Sequence, residues 1–234
     1  MTLNARSIMN NIDILQATVY DIQPDIIGIT ETWANDSILD VELQLEGYQL
    51  FWCDHNNEHK GGGVLLYVRN LLNHSEFCTN SLYGKHIWCR IGKLVIGVCY
   101  RSPNLGIVGQ GNSSKLRAVL QVADEDVLIM GDFNYPDVDW KTGTAYHFAD
   151  PDTHEFIQTI EDCFYSQHVL SPTRGDAILD IILSRDPDLV SNVTVIHNLG
   201  NSDHNMVCFW YIMGMKHITT TESSGILIKV IMIP

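Results

Sequence analysis

The chain has 234 residues, 45% of them hydrophobic, which suits one large domain or two small ones with a sizeable buried core. A net charge of −14 argues against a protein that holds phosphates with a broadly basic surface, so any nucleic-acid chemistry must rest on a metal and a few local cations. Six cysteines without a Cys-x-x-Cys pair, no leader segment, no membrane-length apolar run and no basic nuclear address point to a reducing intracellular setting, cytoplasmic or nuclear, without a membrane partner.

Met1-Thr2-Leu3 reads as the end of a first strand, with Asn4 at its tip. Ile8, Ile12, Leu15, Val19 and Ile22 recur at spacings of four and three and predict one helix, closed by Pro24. Asp25 to Thr30 predicts a buried strand that runs into Glu31-Thr32-Trp33, and Tyr48 to Trp52 predicts another. In the polar loop Asp54 to Lys60, His55 and His59 have no acidic or cysteine residue arranged around them and read as solvated. Gly61-Gly62-Gly63 opens the strand Val64 to Val68. It lacks the Gly-Lys-Ser/Thr ending of a phosphate loop and reads as a flexible strand entry, with close packing of its backbone on a neighbour as the secondary expectation.

His86 to Ile91 and Leu94 to Tyr100 predict a hairpin turned by Gly92-Lys93, with Tyr100 and Arg101 at its end. Asn104 to Asn112 reads as a loop and Ser113 to Ala123 as a helix with Leu116, Val119 and Leu120 on one face. The acidic turn Asp124-Glu125-Asp126 reads as solvated. Val127 to Met130 then forms an apolar run short enough for a buried strand, stopped by Gly131. Asp132 and Asn134 follow, and extended geometry would point both to one side, toward one ligand. The plainer reading of Gly, Asp and Asn together is a turn.

Pro136 to Asp152 reads as a long loop and Thr153 to Cys163 as a helix. In the strand Ala177 to Ser184, Asp180 is a charge inside an apolar run, costly unless it has a partner. The expected partner is His204, brought alongside by the pairing of the two strands that carry them. Val193 to His197 and Met206 to Ile212 are further strands, the second opened by Ser202-Asp203-His204. Buried strands that each end in an acid, amide or imidazole describe a catalytic sheet, and the alternation of elements without a linker describes a single α/β domain.

The ordered set Asn4, Glu31-Thr32-Trp33, Tyr100-Arg101-Ser102-Pro103, Gly131-Asp132-Phe133-Asn134, Leu179-Asp180 and Ser202-Asp203-His204 resembles the endonuclease/exonuclease/phosphatase superfamily, the DNase I-like proteins. Within it, Asn4-Ala5-Arg6-Ser7, Gly61-Gly62-Gly63-Val64, Tyr100-Arg101-Ser102-Pro103 and Ser171-Pro172-Thr173-Arg174 look most like the endonuclease domain of non-LTR, LINE-type retrotransposons. Each motif is weak alone; the resemblance lies in six of them in family order, over residues 2 to 212.

The resemblance implies a two-sheet β-sandwich flanked by helices, spanning residues 1–213, with a first strand shortened relative to the family. Residues 214–234 are expected to be a tail without family resemblance, whose removal costs little stability. The implied activity is Mg²⁺-dependent phosphodiester hydrolysis, with Mn²⁺ as an alternative ion. DNA is the implied substrate, nicked to leave a 3′-hydroxyl; the reverse transcriptase of such an element is absent from this chain. Glu31 corresponds to the metal ligand and Asp203 to an aspartate near the metal. Asp132 corresponds to the residue that orients the attacking water, Asn134 and Tyr100 to phosphate donors, and Asn4 to a support of the metal and its waters. His204 corresponds to the phosphate donor or general base, and Asp180 to the residue holding its other nitrogen. Arg101 and Arg174 are candidate backbone-phosphate contacts. Arg6 stands where the abasic-site enzymes carry an acid, which favours the retrotransposon branch and leaves one metal or two open. A phosphatase or lipid phosphodiesterase of the same superfamily, or a catalytically idle binding module, are the competing readings.

Overall fold

A computed structural model describes residues 5, 7–34, 37–53, 62–79, 81, 83–103, 106–122, 126–213 and 226–233. Asn4, Arg6, His55, His59, Gly61 and the acidic residues Asp124 and Glu125 lie outside the described residues.

The first helical pattern is divided. A 3₁₀ turn at Ile8–Asn10 precedes α1 (Ile12–Ile22). Asn11 makes the division, because its Nδ2 donates to Ala5 O at 3.0 Å and Ser7 O at 3.4 Å, tying the side chain to the backbone that leads into the turn. There follow β1 (Ile26–Thr30), the single turn α2 (Asp40–Leu43), β2 (Tyr48–Cys53), β3 (Val64–Arg69), β4 (His74–Glu76), β5 (His86–Ile91) and β6 (Leu94–Tyr100). Helix α3 (Gly106–Leu120) starts before the expected Ser113, carrying three glycines that disfavour helix. The chain continues through β7 (Val127–Asp132), β8 (Val138–Asp139), β9 (Thr144–Ala145) and α4 (Pro151–Asp162). Asp150 caps α4, accepting the Thr153 N–H at 2.7 Å, with proline at the first helical position. The remaining strands are β10 (Ser166–Gln167), β11 (Asp180–Ser184), β12 (Val190–Asn198), β13 (Asn205–Met213) and β14 (Ile226–Ile233).

Two six-stranded mixed sheets carry the fold, one ordered β12-β13-β14-β1-β3-β2 and the other β10-β11-β7-β6-β5-β4. The two-residue period of the strands sorts their side chains. Leu94, Ile96, Val98, Leu128, Met130 and Ile182 of the second sheet meet Ile26, Leu66, Val68, Val207 and Phe209 of the first in one buried core between the sheets. The alternate residues Val95, Cys99, Ile129 and Ile181 face outward and pack with Leu116 and Leu120 of α3 and Phe156 of α4. Ile27 and Ile29 face the opposite outer side, against Leu15 and Val19 of α1. The result is the expected two-sheet α/β sandwich with helices outside.

The C-terminal residues differ from the expected tail. Strand β14 lies inside the first sheet, parallel to β1 and antiparallel to β13. Ile228 and Val230 are buried in the core between the sheets. Lys229 interrupts the apolar run, and it is accommodated: its ammonium donates to Ile22 O, and Asp25 Oδ2 accepts its backbone N–H at 2.9 Å. An apolar run of this length shows that a strand is available but not which strands it will join.

Candidate active site

Register assembles the site. Tyr100, Asp132 and Asp180 are cross-strand neighbours on β6, β7 and β11, forming a row at one end of the second sheet. They share the parity of Val98, Met130 and Ile182, so they lie on the side that faces the first sheet. Gly131 makes this close arrangement feasible. It has φ +143, and a Cβ there would lie 1.9 Å from Cys99 O on the neighbouring strand.

His204 comes from the other sheet, immediately before β13. Its Nδ1 lies 2.8 Å from Asp180 Oδ2, and neither side chain is exposed. The pair therefore does not arise from the pairing of two strands, as the sequence suggested: β11 belongs to one sheet and β13 to the other. Thr173, quoted from the sequence only within the Ser171–Arg174 motif and given no role there, fastens the two backbones. Its hydroxyl accepts the N–H groups of Leu179 (3.0 Å) and Asp180 (3.1 Å), while its carbonyl accepts that of Asn205 at 2.7 Å. Ser202 Oγ accepts the His204 N–H at 3.1 Å, fixing the turn.

Asp132 serves two ends. Its Oδ1 accepts the Asn134 N–H at 3.0 Å, closing an Asx turn, so the turn reading of this stretch holds. Asp132 Oδ2 and His204 Nε2 are buried and have no hydrogen-bond partner among the described residues. Asp132, Asp180 and His204 bring ligand atoms within 4.8 Å of one another. Burial, reinforced by the Asp180 charge and opposed by His204, raises the Asp132 pKa well above the usual carboxylate value. Burial alone would lower the His204 pKa, but attraction and hydrogen bonding from Asp180, with help from Asp132, lift it to about 9. Two polar atoms with no internal partner, beside an imidazole that holds its proton, form a place built for a polar ligand.

Asn134 is left-handed (φ 49), so it leaves Asp132 through a turn rather than along an extended strand. Its Nδ2 donates to Arg101 O at 2.7 Å, and Arg101 Nη1 returns a hydrogen bond to Asn134 O at 2.7 Å. Arg101, read from the sequence as a phosphate contact, is buried here. Its guanidinium lies 3.9 Å from the Tyr135 ring centroid and 3.0 Å from Asp152 Oδ2. Arg174 and Asp203, by contrast, are partly exposed and paired at 2.8 Å.

Glu31 sits just beyond β1, mostly buried and left-handed at φ 53; Trp33 is left-handed too, at φ 51. The glycines foreseen as a close backbone approach explain this shape. Gly62 O accepts the Trp33 N–H at 2.9 Å, and a Cβ on Gly63 would fall 2.3 Å from Thr32 Oγ1. Glu31 Oε2 accepts the Trp33 indole N–H at 2.6 Å and the Gly62 N–H at 3.2 Å. Lys85 is a further site residue without a sequence signal. Its ammonium lies 5.2 Å from the Tyr100 ring centroid. Burial lowers its pKa, and attraction from Glu31 opposes the shift, which places the two charges in one neighbourhood.

Comparison with curated protein sequences finds no match. Solved structures are similar at the level of the fold. The 3′–5′ exonuclease NExo of Neisseria meningitidis has a TM-score of 0.70 at 16% identity, over 90% of this chain and 98% of that one. The endonuclease domain of TRAS1, a telomere-specific non-LTR retrotransposon, has 0.66 at 15% identity, over 92% and 97%. An AP endonuclease from Archaeoglobus fulgidus has 0.66 at 16% identity, over 87% and 95%. The profile of the Endonuclease/Exonuclease/phosphatase family matches residues 1–204, a span that holds Glu31, Tyr100, Asp132, Asp180 and His204. The chain belongs to the endonuclease/exonuclease/phosphatase family.

Proposed function

We propose that the protein is a Mg²⁺-dependent phosphodiesterase that nicks DNA to leave a 3′-hydroxyl, related to the endonuclease domains of non-LTR retrotransposons. The observation that carries this reading is the buried Asp180–His204 pair at 2.8 Å with His204 Nε2 and Asp132 Oδ2 unpartnered beside it. The retrotransposon branch is supported by the sequence motifs around Tyr100 and Thr173 and by the structural likeness to TRAS1.

In the hydrolysis a water oxygen bonds to phosphorus, the P–O3′ bond breaks, and O3′ leaves with the electron pair and takes a proton from solvent to become the 3′-hydroxyl. Asp132 Oδ2 accepts hydrogen from that water, and its raised pKa makes it a stronger base than an exposed carboxylate. His204, held protonated by Asp180, donates from Nε2 to a phosphate oxygen as negative charge grows there. Asn134 and Tyr100 frame the same phosphate, and Arg174 at the rim is the candidate contact to the next one.

The residues present fit a hard divalent cation, because Glu31 offers a mostly buried carboxylate in the electrostatic neighbourhood of Asp132, whose Oδ2 is kept for the water. Glu31 would hold the ion, which when bound supplies charge neutralisation at the phosphate and the leaving oxygen. With a net charge of −14, affinity for DNA must come from this site rather than from the surface at large, so binding is expected to be weak and transient.

Supercoiled plasmid incubated with Mg²⁺, with and without EDTA, tests the proposal, beside inositol-phosphate and sphingomyelin substrates. Nicks that a polymerase can extend without end repair, absent in EDTA and absent in Asp132→Asn, are the expected result. Turnover confined to the inositol-phosphate or lipid substrate would assign the site to that chemistry instead.

A further inference from the structure

Trp33 stands at the mouth of the site in a way that the hydrolysis does not use. The residue is 41% exposed, yet it is fixed at both ends. The backbone N–H is bonded to Gly62 O, and the indole N–H is bonded to Glu31 Oε2 at 2.6 Å. The same oxygen accepts the Gly62 N–H at 3.2 Å. Two donors thus converge on one carboxylate oxygen, and the left-handed backbone at Glu31 and Trp33 is held in shape by the glycine pair below. Backbone strain of this sort persists only where surrounding contacts impose it.

We propose that Trp33 and Gly62 form a clamp that turns the Glu31 carboxylate so that Oε1 alone is presented to a divalent cation. Trp33 is a positioning residue for the metal ligand. The inference rests on the reading of Glu31 as that ligand. A carboxylate with one oxygen anchored by two N–H groups cannot chelate through both oxygens, and it loses the rotational freedom that an unanchored glutamate must give up on binding. Partners of this kind behind a metal ligand typically contribute about 10–100-fold in metal affinity. The clamp also places an indole beside the ion, close enough to transfer excitation to a bound lanthanide.

The test measures metal binding directly on the full-length protein. Mn²⁺ affinity is determined by calorimetry for the unaltered chain, Trp33→Phe, Trp33→His and Glu31→Gln, with melting curves in EDTA to establish that each variant folds. Tb³⁺ emission excited through tryptophan is read alongside. Trp33→Phe keeps an aromatic ring but has no N–H, so its Mn²⁺ affinity should fall about 10–100-fold while its melting temperature in EDTA stays near that of the unaltered chain. Trp33→His, with a ring N–H, should recover part of the loss, and saturating Mn²⁺ should restore turnover in Trp33→Phe. Tb³⁺ emission should be strong in the unaltered chain and lost in Glu31→Gln, which keeps the indole. If Glu31→Gln loses Mn²⁺ binding but Trp33→Phe and Trp33→His both bind as the unaltered chain does, the clamp is wrong and the ligand reading stands. If Glu31→Gln binds Mn²⁺ normally, the ligand reading fails and takes the clamp with it.

Discussion

Asp180 and His204 meet across the gap between two sheets, Oδ2 to Nδ1 at 2.8 Å, with no solvent reaching either side chain. Neither strand can shift without breaking this contact, so the sandwich sets the geometry of the proposed phosphate donor.

The charge on Asp180 keeps His204 protonated, with a pKa raised to about 9. Asp180→Asn keeps the shape and removes the attraction, so the imidazolium should lose its proton at lower pH. The alkaline limb of the rate profile should then move down in pH, and turnover should fall by roughly 10²–10⁴-fold. Combining Asp180→Asn with His204→Ala should cost little more than His204→Ala alone. Fully additive losses would mean that the two residues act separately.

The same pair should mark stability. A histidine whose folded pKa lies above its unfolded value stabilises fully below the unfolded pKa, about 6.5, and the contribution disappears as pH rises through about 9. Melting temperature should therefore fall between those limits more steeply in the unaltered chain than in His204→Ala. Parallel curves would separate His204 from this titration.

Arg101 is expected to act through Asn134. Arg101→Lys retains the charge but loses the fork that joins Asn134 O to Asp152 and the stack on Tyr135. Turnover should drop while Mn²⁺ affinity, which the proposal assigns to Glu31, stays constant. A drop in Mn²⁺ affinity instead would extend the influence of Arg101 to the metal side.

Strand β14 should be indispensable. Ile228 is 1% exposed in the core between the sheets, so Ile228→Ala should lower stability by about 2–5 kcal/mol. Deleting residues 226–234 would leave β1 and β13 without their shared neighbour, and the protein should not melt cooperatively. Scanning calorimetry decides the matter; an unchanged transition in the deletion would place the strand outside the fold.

Much of the site was legible because its residues stand where apolar runs stop. Asp132 after Met130, Glu31 after Ile29-Thr30 and His204 before Met206 each advertise a strand end. The two-sheet sandwich followed from the resemblance and was recovered. What stayed hidden depends on contacts between distant segments. Thr173 stands in a motif with no assigned role, and Lys85 looks like any lysine, until the backbone brings them to Asp180 and Tyr100. Arg101 carries the same letter whether it meets solvent or the Tyr135 ring. The glycine run before β3 was visible, but not that the Gly62 N–H would reach Glu31 Oε2. Strand β14 shows the limit most plainly: its apolar pattern was visible, while its place between β1 and β13 is a matter of partners far away in the chain.

That placement constrains how the protein comes to be folded. Lys229 and Asp25, hydrogen-bonded through both backbone and carboxylate, are 204 positions apart. On a ribosome, β1 and β13 emerge before the strand that must lie between them, each with an open row of N–H and C=O groups. The first sheet cannot close until residues 226–233 have emerged, so it closes late and slowly, as pairings of long sequence separation do. The waiting intermediate has two bare strand edges of its own, and pairing between copies is the route by which refolding at high concentration should fail.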